Sequence, residues 1–391
     1  MHDFFPALLY STIALYLAQT LFFFIGILRQ RSAKENRYPK ISILVALRNE
    51  ELTVRDCVDS LIRLKYPESA LEIVLINDRS SDRTPAIIEE LKAISQRIKT
   101  LHIRDGISGL SGKANAIAQG MDLATGELIL VTDGDCRVPP SWARAHAGYF
   151  SANVGLVAGF TLLDERYDDT KLFGKMQSLD WAYLLAIGAG AIGMGVPLSV
   201  LGNNFSFRKQ AYEEVGGYRR MGFTIIEDFA LMKTLTKKTS WKVLYPIDPD
   251  ILVYSHPMPD FKRFCNQRKR WSAGGKEIGW YGKFLMALSM LVHILLPVSL
   301  VLGATPASLF GCGVVMMSDF VLLRLTTARV KRQDLLAYFP FWEAFYFFYT
   351  VFFAPVLLFP TTVTWKGTSY SWKLNWKMKK INEINAHQIR N

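Results

Sequence analysis

The sequence predicts an α/β domain, a mostly parallel sheet lying between helices, with transmembrane helices before and after it. Short apolar, β-branched runs alternate with helix-length segments across residues 41–132, the pattern of strands buried on both faces. An uncharged apolar run opens the chain at 4–28, and comparable runs return only beyond residue 283.

The opening run holds about 25 residues and would rise roughly 37 Å as a helix, enough to cross a bilayer with some tilt. His2 and Asp3 precede it, whereas Arg29, Arg31, Lys34, Arg37 and Lys40 follow. The positive-inside rule therefore predicts an uncleaved anchor with residue 29 onward in the cytoplasm. Ile41–Leu47 reads as a buried strand, followed by a helix-like stretch to Leu64. Residues 71–76 form a second strand, leading to Asn77-Asp78, a polar turn and a helix carrying Ile87, Ile88, Leu91 and Ile94. A short strand at 101–103, a helix at 114–123 and a strand at 127–132 complete the alternation, ending at Asp133-Gly134-Asp135. Ligands of such sheets bind at the carboxyl ends of the strands. Late spans are expected at 284–303, 305–323 and 338–359, enclosing the ionisable residues His293, Asp319 and Glu343. Three late spans would put the tail outside, while Lys366, Lys373, Lys377, Lys379 and Lys380 favour the inside; Pro340, Pro355 and Pro360 permit a re-entrant third segment. The division is an anchor (1–30), a cytoplasmic domain (31–280), membrane or interfacial helices (281–363) and a basic tail (364–391).

Composition agrees. The 391 residues are 50% hydrophobic and 13% aromatic but only 20% charged, which excludes a disordered chain. A formal charge of +12, with a pI near 9.4 and mean hydropathy of +0.15, fits a part-embedded protein that is basic where it meets anionic lipid. Cys57, Cys136, Cys265 and Cys312 have no paired spacing, so neither a disulfide scaffold nor a cysteine zinc site is expected.

Five segments carry candidate chemistry. Asp133 and Asp135 flank a glycine after a strand, where two carboxylates can converge on a hard divalent cation; a solvated turn is the plain alternative. Asp78 ends a strand and can accept from a base or a ribose, or serve an Asx turn. Lys113 opens a helix after a glycine-bearing loop (108–115) without the spacing of a nucleotide-hydrolysing P-loop. Glu227-Asp228 sits where an apolar run meets a helix, suiting either a positioned base or an ordinary capping acid. Gln267-Arg268-Lys269-Arg270-Trp271 concentrates cations, an amide and an indole, suited to a diphosphate and a sugar ring or to lipid headgroups. Nucleic acid fits poorly beside membrane spans.

The order Asp78, Asp133-Gly134-Asp135, Glu227-Asp228, Gln267-x-x-Arg270-Trp271 resembles the D, DxD, ED, QxxRW pattern of membrane-bound family-two glycosyltransferases. VALRNEE (45–51), NDRSSDRT (77–84), GKANAIAQG (112–120), GNNFSFRKQAYEEVGGY (202–218) and HPMPDFKRFCNQRKRWSAGG (256–275) extend the likeness over about residues 38–280. The resemblance implies a GT-A nucleotide-sugar-binding domain and inverting transfer of a hexose from a UDP-sugar. By the same likeness Asn49, Glu50, Asp78, Lys113 and Asp133 would bind the nucleotide sugar. Asp133 and Asp135 would hold Mg²⁺ or Mn²⁺, and Asp228 would be the general base. Gln267, Arg270 and Trp271 would cover the diphosphate and the acceptor end, with no role assigned to Arg268 or Lys269. The acceptor implied is a membrane lipid, at a cell (inner) membrane with the catalytic domain cytoplasmic; a processive polysaccharide synthase is the alternative, and a non-catalytic nucleotide- or lipid-binding protein a third. Residues 181–200 read either as a buried helix or as an interfacial segment beside the acceptor. Thr364-Trp365-Lys366-Gly367 to Tyr370 resembles an element near the end of lipid-glycosylating relatives, with Thr368 where Arg is usual.

Overall fold

A computed structural model describes residues 4–30, 35, 37–164, 172–222, 224, 226–275, 278–303 and 305–358, together with three short strands of the tail. The chain runs through α1 (Phe4–Arg29), β1 (Ile41–Leu47), α2 (Val54–Ile62), β2 (Leu71–Asn77), α3 (Thr84–Lys92), β3 (Ile98–His102), α4 (Gly112–Leu123) and β4 (Leu128–Asp133). Then come α5 (Trp142–Gly148), β5 (Val154–Ala158), β6 (Thr161–Leu163), α6 (Leu172–Gly193), β7 (Asn204–Arg208), α7 (Lys209–Glu214), α8 (Gly217–Met221), α9 (Glu227–Lys238), β8 (Lys242–Leu244) and β9 (Val253–Ser255). The last part holds α10 (Phe261–Gly275), α11 (Trp280–Gly303), α12 (Pro306–Arg329), α13 (Phe339–Leu358) and the tail strands β10 (Thr362–Trp365), β11 (Thr368–Trp372) and β12 (Met378–Ile381).

The central sheet has the order β3-β2-β1-β4-β7-β5-β8. β3, β2, β1 and β4 are parallel, and β7 runs antiparallel between β4 and β5. The period of two divides each strand between two cores. Ile43, Val45, Ile73, Leu75, Leu128 and Leu130 face α2, α3 and α5; Leu44, Val74, Ile76, Ile129 and Val131 face α4 and α6. With both faces buried, the strands must be near-continuously apolar, as they are. Register aligns Leu47 with Asn77 and Ala46 with Asp133, so β1, β2 and β4 deliver their following residues to one edge.

Two local expectations change. α3 stops at Lys92, leaving Ile94 outside the helix and 64% exposed. The third strand lies at 98–102 rather than 101–103, because pairing of Ile98 with Ile73 recruits Lys99, whose Nζ meets Glu72 Oε2 at 2.6 Å. An apolar triplet search cannot see a charged edge residue held by a cross-strand ion pair.

Among the described residues, four helices are long and apolar enough to cross a membrane: Phe4–Arg29, Trp280–Gly303, Pro306–Arg329 and Gln333–Phe352. Phe310, Met317, Phe348 and Val301 project from them, each at least 60% exposed, as lipid-facing residues do. Within residues 181–200, α6 reaches Gly193 as a largely buried helix that packs on α1, α12 and α13, while residues 194–200 leave the helix and are mostly exposed or part-exposed. The contact of α6 with α1 is backbone to backbone. A β-carbon at Gly26 would stand 1.8 Å from the Gly190 carbonyl oxygen, and one at Gly193 2.0 Å from that of Gly26. Only glycine allows such approach, the small-residue packing used between membrane helices. Arg31, Lys34, Lys366, Gly367, Lys373 and Lys377 lie outside the described residues.

Candidate active site

The carboxyl edge of β1, β2 and β4 is closed by interlocked turns. Asn49 adopts a left-handed backbone (φ 55°), which asparagine tolerates. Its N–H donates to Ser80 Oγ (3.0 Å), and its side-chain oxygen accepts from the Ser81 N–H (2.8 Å). Glu50 N–H donates to Thr84 Oγ1 (2.8 Å), and Thr53 Oγ1 donates to Glu50 Oε2 (3.1 Å). Asp78 is buried; its N–H donates to the Leu47 carbonyl at 2.8 Å, and Arg79 Nε donates to its carboxylate at 2.9 Å. Asn49, Glu50 and Asp78 thus form one wall, tied across β1 and β2.

The opposite wall is ionic. Lys113, in the first turn of α4, reaches Asp133 Oδ1 at 2.5 Å and the Gly202 carbonyl oxygen at 2.5 Å, with Glu227 Oε1 at 3.6 Å. Burial disfavours its charge, but Asp133 and then Glu227 outweigh that and raise its pKa. Glu227 and Asp228 open α9, where the unsatisfied N–H groups favour anions. Asp228 Oδ1 accepts from the Phe229 N–H at 2.7 Å. Burial first, then the neighbouring Glu227 charge, push Asp228 up to about 7, against the pull of Phe229 N–H and Lys113. Glu227 is raised by burial, with Lys113 opposing. Gly202 lies against both acids: a β-carbon there would be 2.8 Å from Asp228 Oδ2.

Arg270 of α10 closes the cluster. Burial lowers its pKa while Asp133, Glu227, Asp135 and Asp228 act to raise it, and a guanidinium keeps its charge throughout. Asp135 lines a small cavity with Thr53, Asp56, Cys57, Arg137 and Asp164. Burial, then the charges of Asp135, Glu50 and Asp133, raise the Cys57 pKa, which keeps that thiol protonated. Lys113, Asp133, Asp135, Asp228 and Arg270, separated by up to 157 positions (270 − 113), therefore share one charged cleft.

The rest of the QRKRW segment faces elsewhere. Trp271 packs against Trp181 (ring centroids 5.2 Å), and the Arg268 guanidinium stacks over it at 4.2 Å. Arg268, given no role by the sequence, is buried in an ion pair with Asp180 of α6, to which the Tyr349 hydroxyl of α13 also donates at 2.8 Å. Gln267 Oε1 is buried and has no hydrogen-bond partner among the described residues. Sequence reasoning gave Glu227 no role apart from Asp228 and did not single out Gly202, whose carbonyl holds Lys113. Gly202 opens the GNN run, where Asn203 also ties β4 to β6 through Thr132 and Thr161.

With this geometry in place, comparison identifies the class. Residues 42–216 match the family described as Glycosyl transferase family 2, and the fold is GT-A-like. A beta-monoglucosyldiacylglycerol synthase of Synechocystis sp. is 29% identical over 282 residues, 68% of this chain and 56% of that protein. A poly-beta-1,6-N-acetyl-D-glucosamine synthase of Staphylococcus epidermidis is 29% identical over 246 residues, 61% of this chain and 55% of that one. The chain spans about half the length of the curated relatives it matches. Among solved structures, a mannosyltransferase from Pyrobaculum calidifontis, in complex with GDP-Man and Mn²⁺, superposes with a TM-score of 0.55 at 18% identity, covering 88% of this chain and 99% of that one.

Proposed function

We propose that this chain is an inverting hexosyltransferase that moves a sugar from a UDP-sugar to a hydroxyl of a membrane lipid, working on the cytoplasmic face of a cell membrane. The observation that carries this reading is the cleft in which a buried acid pair on α9 faces Lys113, Arg270 and the two aspartates after β4. Asn49, Glu50 and Asp78 form the wall suited to the nucleoside. Asp228 is the base: a carboxylate whose affinity for a proton is raised toward neutral takes one from an acceptor hydroxyl more readily than an ordinary aspartate. Arg270 supplies fixed positive charge where a diphosphate leaves.

Asp133 and Asp135 fit a divalent cation. Both offer hard oxygen donors, and Asp133 already holds a cationic group, the Lys113 ammonium. When bound, Mg²⁺ or Mn²⁺ would neutralise charge on the departing diphosphate. The lipid acceptor is supported by the diacylglycerol-glucosylating relative and by the apolar helices packed on the domain. A polymer product is the second reading, favoured by the poly-beta-1,6-N-acetyl-D-glucosamine synthase relatives.

The test is UDP release by the full chain in native lipid, screened across UDP-hexoses with Mg²⁺ or Mn²⁺, followed by mass spectrometry of the product. A singly glycosylated lipid supports the first reading. A large glycosidase-sensitive polymer selects the second, and no UDP release under any combination refutes both.

A further inference from the structure

The membrane helices bury a second cluster of ionisable groups. His293 of α11, Asp319 of α12 and Glu343 of α13 are each at most 1% exposed. One ligand atom from each lies within 4.8 Å of the others. Four of their atoms are buried without a hydrogen-bond partner among the described residues: His293 Nε2, Asp319 Oδ2 and both carboxylate oxygens of Glu343. Buried polar atoms are normally paired, and unpaired ones in a bilayer-spanning bundle are the costliest kind.

The surrounding bonds fix what these atoms offer. His293 Nδ1 lies 2.7 Å from the Ser289 carbonyl oxygen. A carbonyl only accepts, so Nδ1 carries the proton and Nε2 presents its lone pair. Asp319 Oδ1 accepts from Tyr16 (2.7 Å) and Tyr183 (3.0 Å), leaving Oδ2 directed elsewhere. With both carboxylates ionised, the centre is a set of acceptors with no donor among them, walled by the rings of Tyr346 and Phe347 at 4.8 and 4.6 Å from the imidazole. An acceptor-only pocket calls for a cation.

We propose that His293, Asp319 and Glu343 bind a divalent first-row transition-metal ion inside the membrane bundle. Two carboxylates and a neutral imidazole around a dication sum to zero charge, which removes the expense of isolated carboxylates in an apolar medium. The nitrogen ligand selects transition metals over Mg²⁺ or Ca²⁺. The Ser289 carbonyl behind the imidazole and the tyrosine hydroxyls behind Asp319 are the outer partners that orient metal ligands. With bonds of about 2.1 Å, ligand atoms on one ion stand at most about 4.2 Å apart, so the widest separation closes by roughly half an ångström. The ion joins α11, α12 and α13 directly, and α1 and α6 through Tyr16 and Tyr183. It is separate from the cation proposed at Asp133 and Asp135 and does not depend on the transferase reading.

The experiment uses the full chain carrying Asp133→Asn and Asp135→Asn, which disables the sheet-edge carboxylates. It is purified in detergent from cells supplied with manganese, iron and zinc, then dialysed and assayed for metals. The expected content is about one transition-metal ion per chain, falling at least roughly tenfold when His293→Ala or Glu343→Gln is added. A metal-free protein, or a content that His293→Ala leaves unchanged, overturns the proposal. Because those substitutions also disturb the bundle, X-ray absorption is recorded at the edge of the metal retained with the bundle intact. Imidazole scattering is expected, and an all-oxygen shell also overturns the proposal.

Discussion

The assignment of Asp228 as base makes a pH profile the sharpest test. Its carboxyl is raised to about 7, first by burial and then by Glu227. A raised carboxyl holds its proton to higher pH, so the basic form, and with it activity, is gained as pH rises through that value. At pH 7 about half the sites are ionised, and at pH 5 about one in a hundred, so kcat/KM for UDP release should fall about 50-fold between them. An aspartate with an ordinary pKa near 4 would lose only about a tenth of its base form over the same interval. Glu227→Gln removes the like charge that is the second cause of the shift, and the acid limb should move to lower pH. Asp228→Asn should lower kcat by about 10²–10⁴, about 2.7–5.5 kcal/mol of barrier, and remove the limb. The assay is UDP release in reconstituted lipid, with UDP binding measured alongside. A profile flat between pH 5 and 7, or an Asp228→Asn variant at the wild-type rate, refutes the reasoning.

Other outcomes follow from the packing. Lys113→Met leaves Asp133 and Glu227 without their shared cation, so UDP-sugar turnover should fall by about 10² and the thermal midpoint should drop, with Lys113→Arg retaining more of both. Asp180→Ala strands the buried Arg268 charge and should cost about 3–5 kcal/mol in denaturation of the detergent-solubilised chain. Combining Asp180→Leu with Arg268→Met should recover most of that; no recovery would mean that the pair is not the cause. Gly190→Leu puts a β-carbon 2.5 Å from the Phe23 carbonyl oxygen and should part α1 from α6, read as faster proteolysis after Arg29; unchanged proteolysis would count against that contact.

The alternation of strand and helix from 41 to 133 is legible in sequence because both faces of β1, β2 and β4 are buried and these strands read as apolar. The antiparallel β7 escapes such reading. Its partners β4 and β5 are joined to it only through long crossovers, which no local pattern records. Motif order singles out the residues of the cleft, but not the division of labour within QRKRW. Arg270 joins the acids while Arg268 turns toward Asp180, a difference set by the helical rotation of α10 against α6. The Glu227-Asp228 pair could be read as base or cap because the partner of Glu227, Lys113, is 114 residues earlier in the chain (227 − 113).

The glycine contact between α1 and α6 bears on how the protein can be handled. A fragment begun after residue 30, the obvious route to a soluble enzyme, would strip Gly190 and Gly193 of their cover and take from Asp319 the Tyr16 hydroxyl that it accepts. The leading helix is a wall of the folded unit as well as a tether. Truncation there should yield aggregates, so work on the purified protein must begin with residues 1–391 in detergent or nanodiscs.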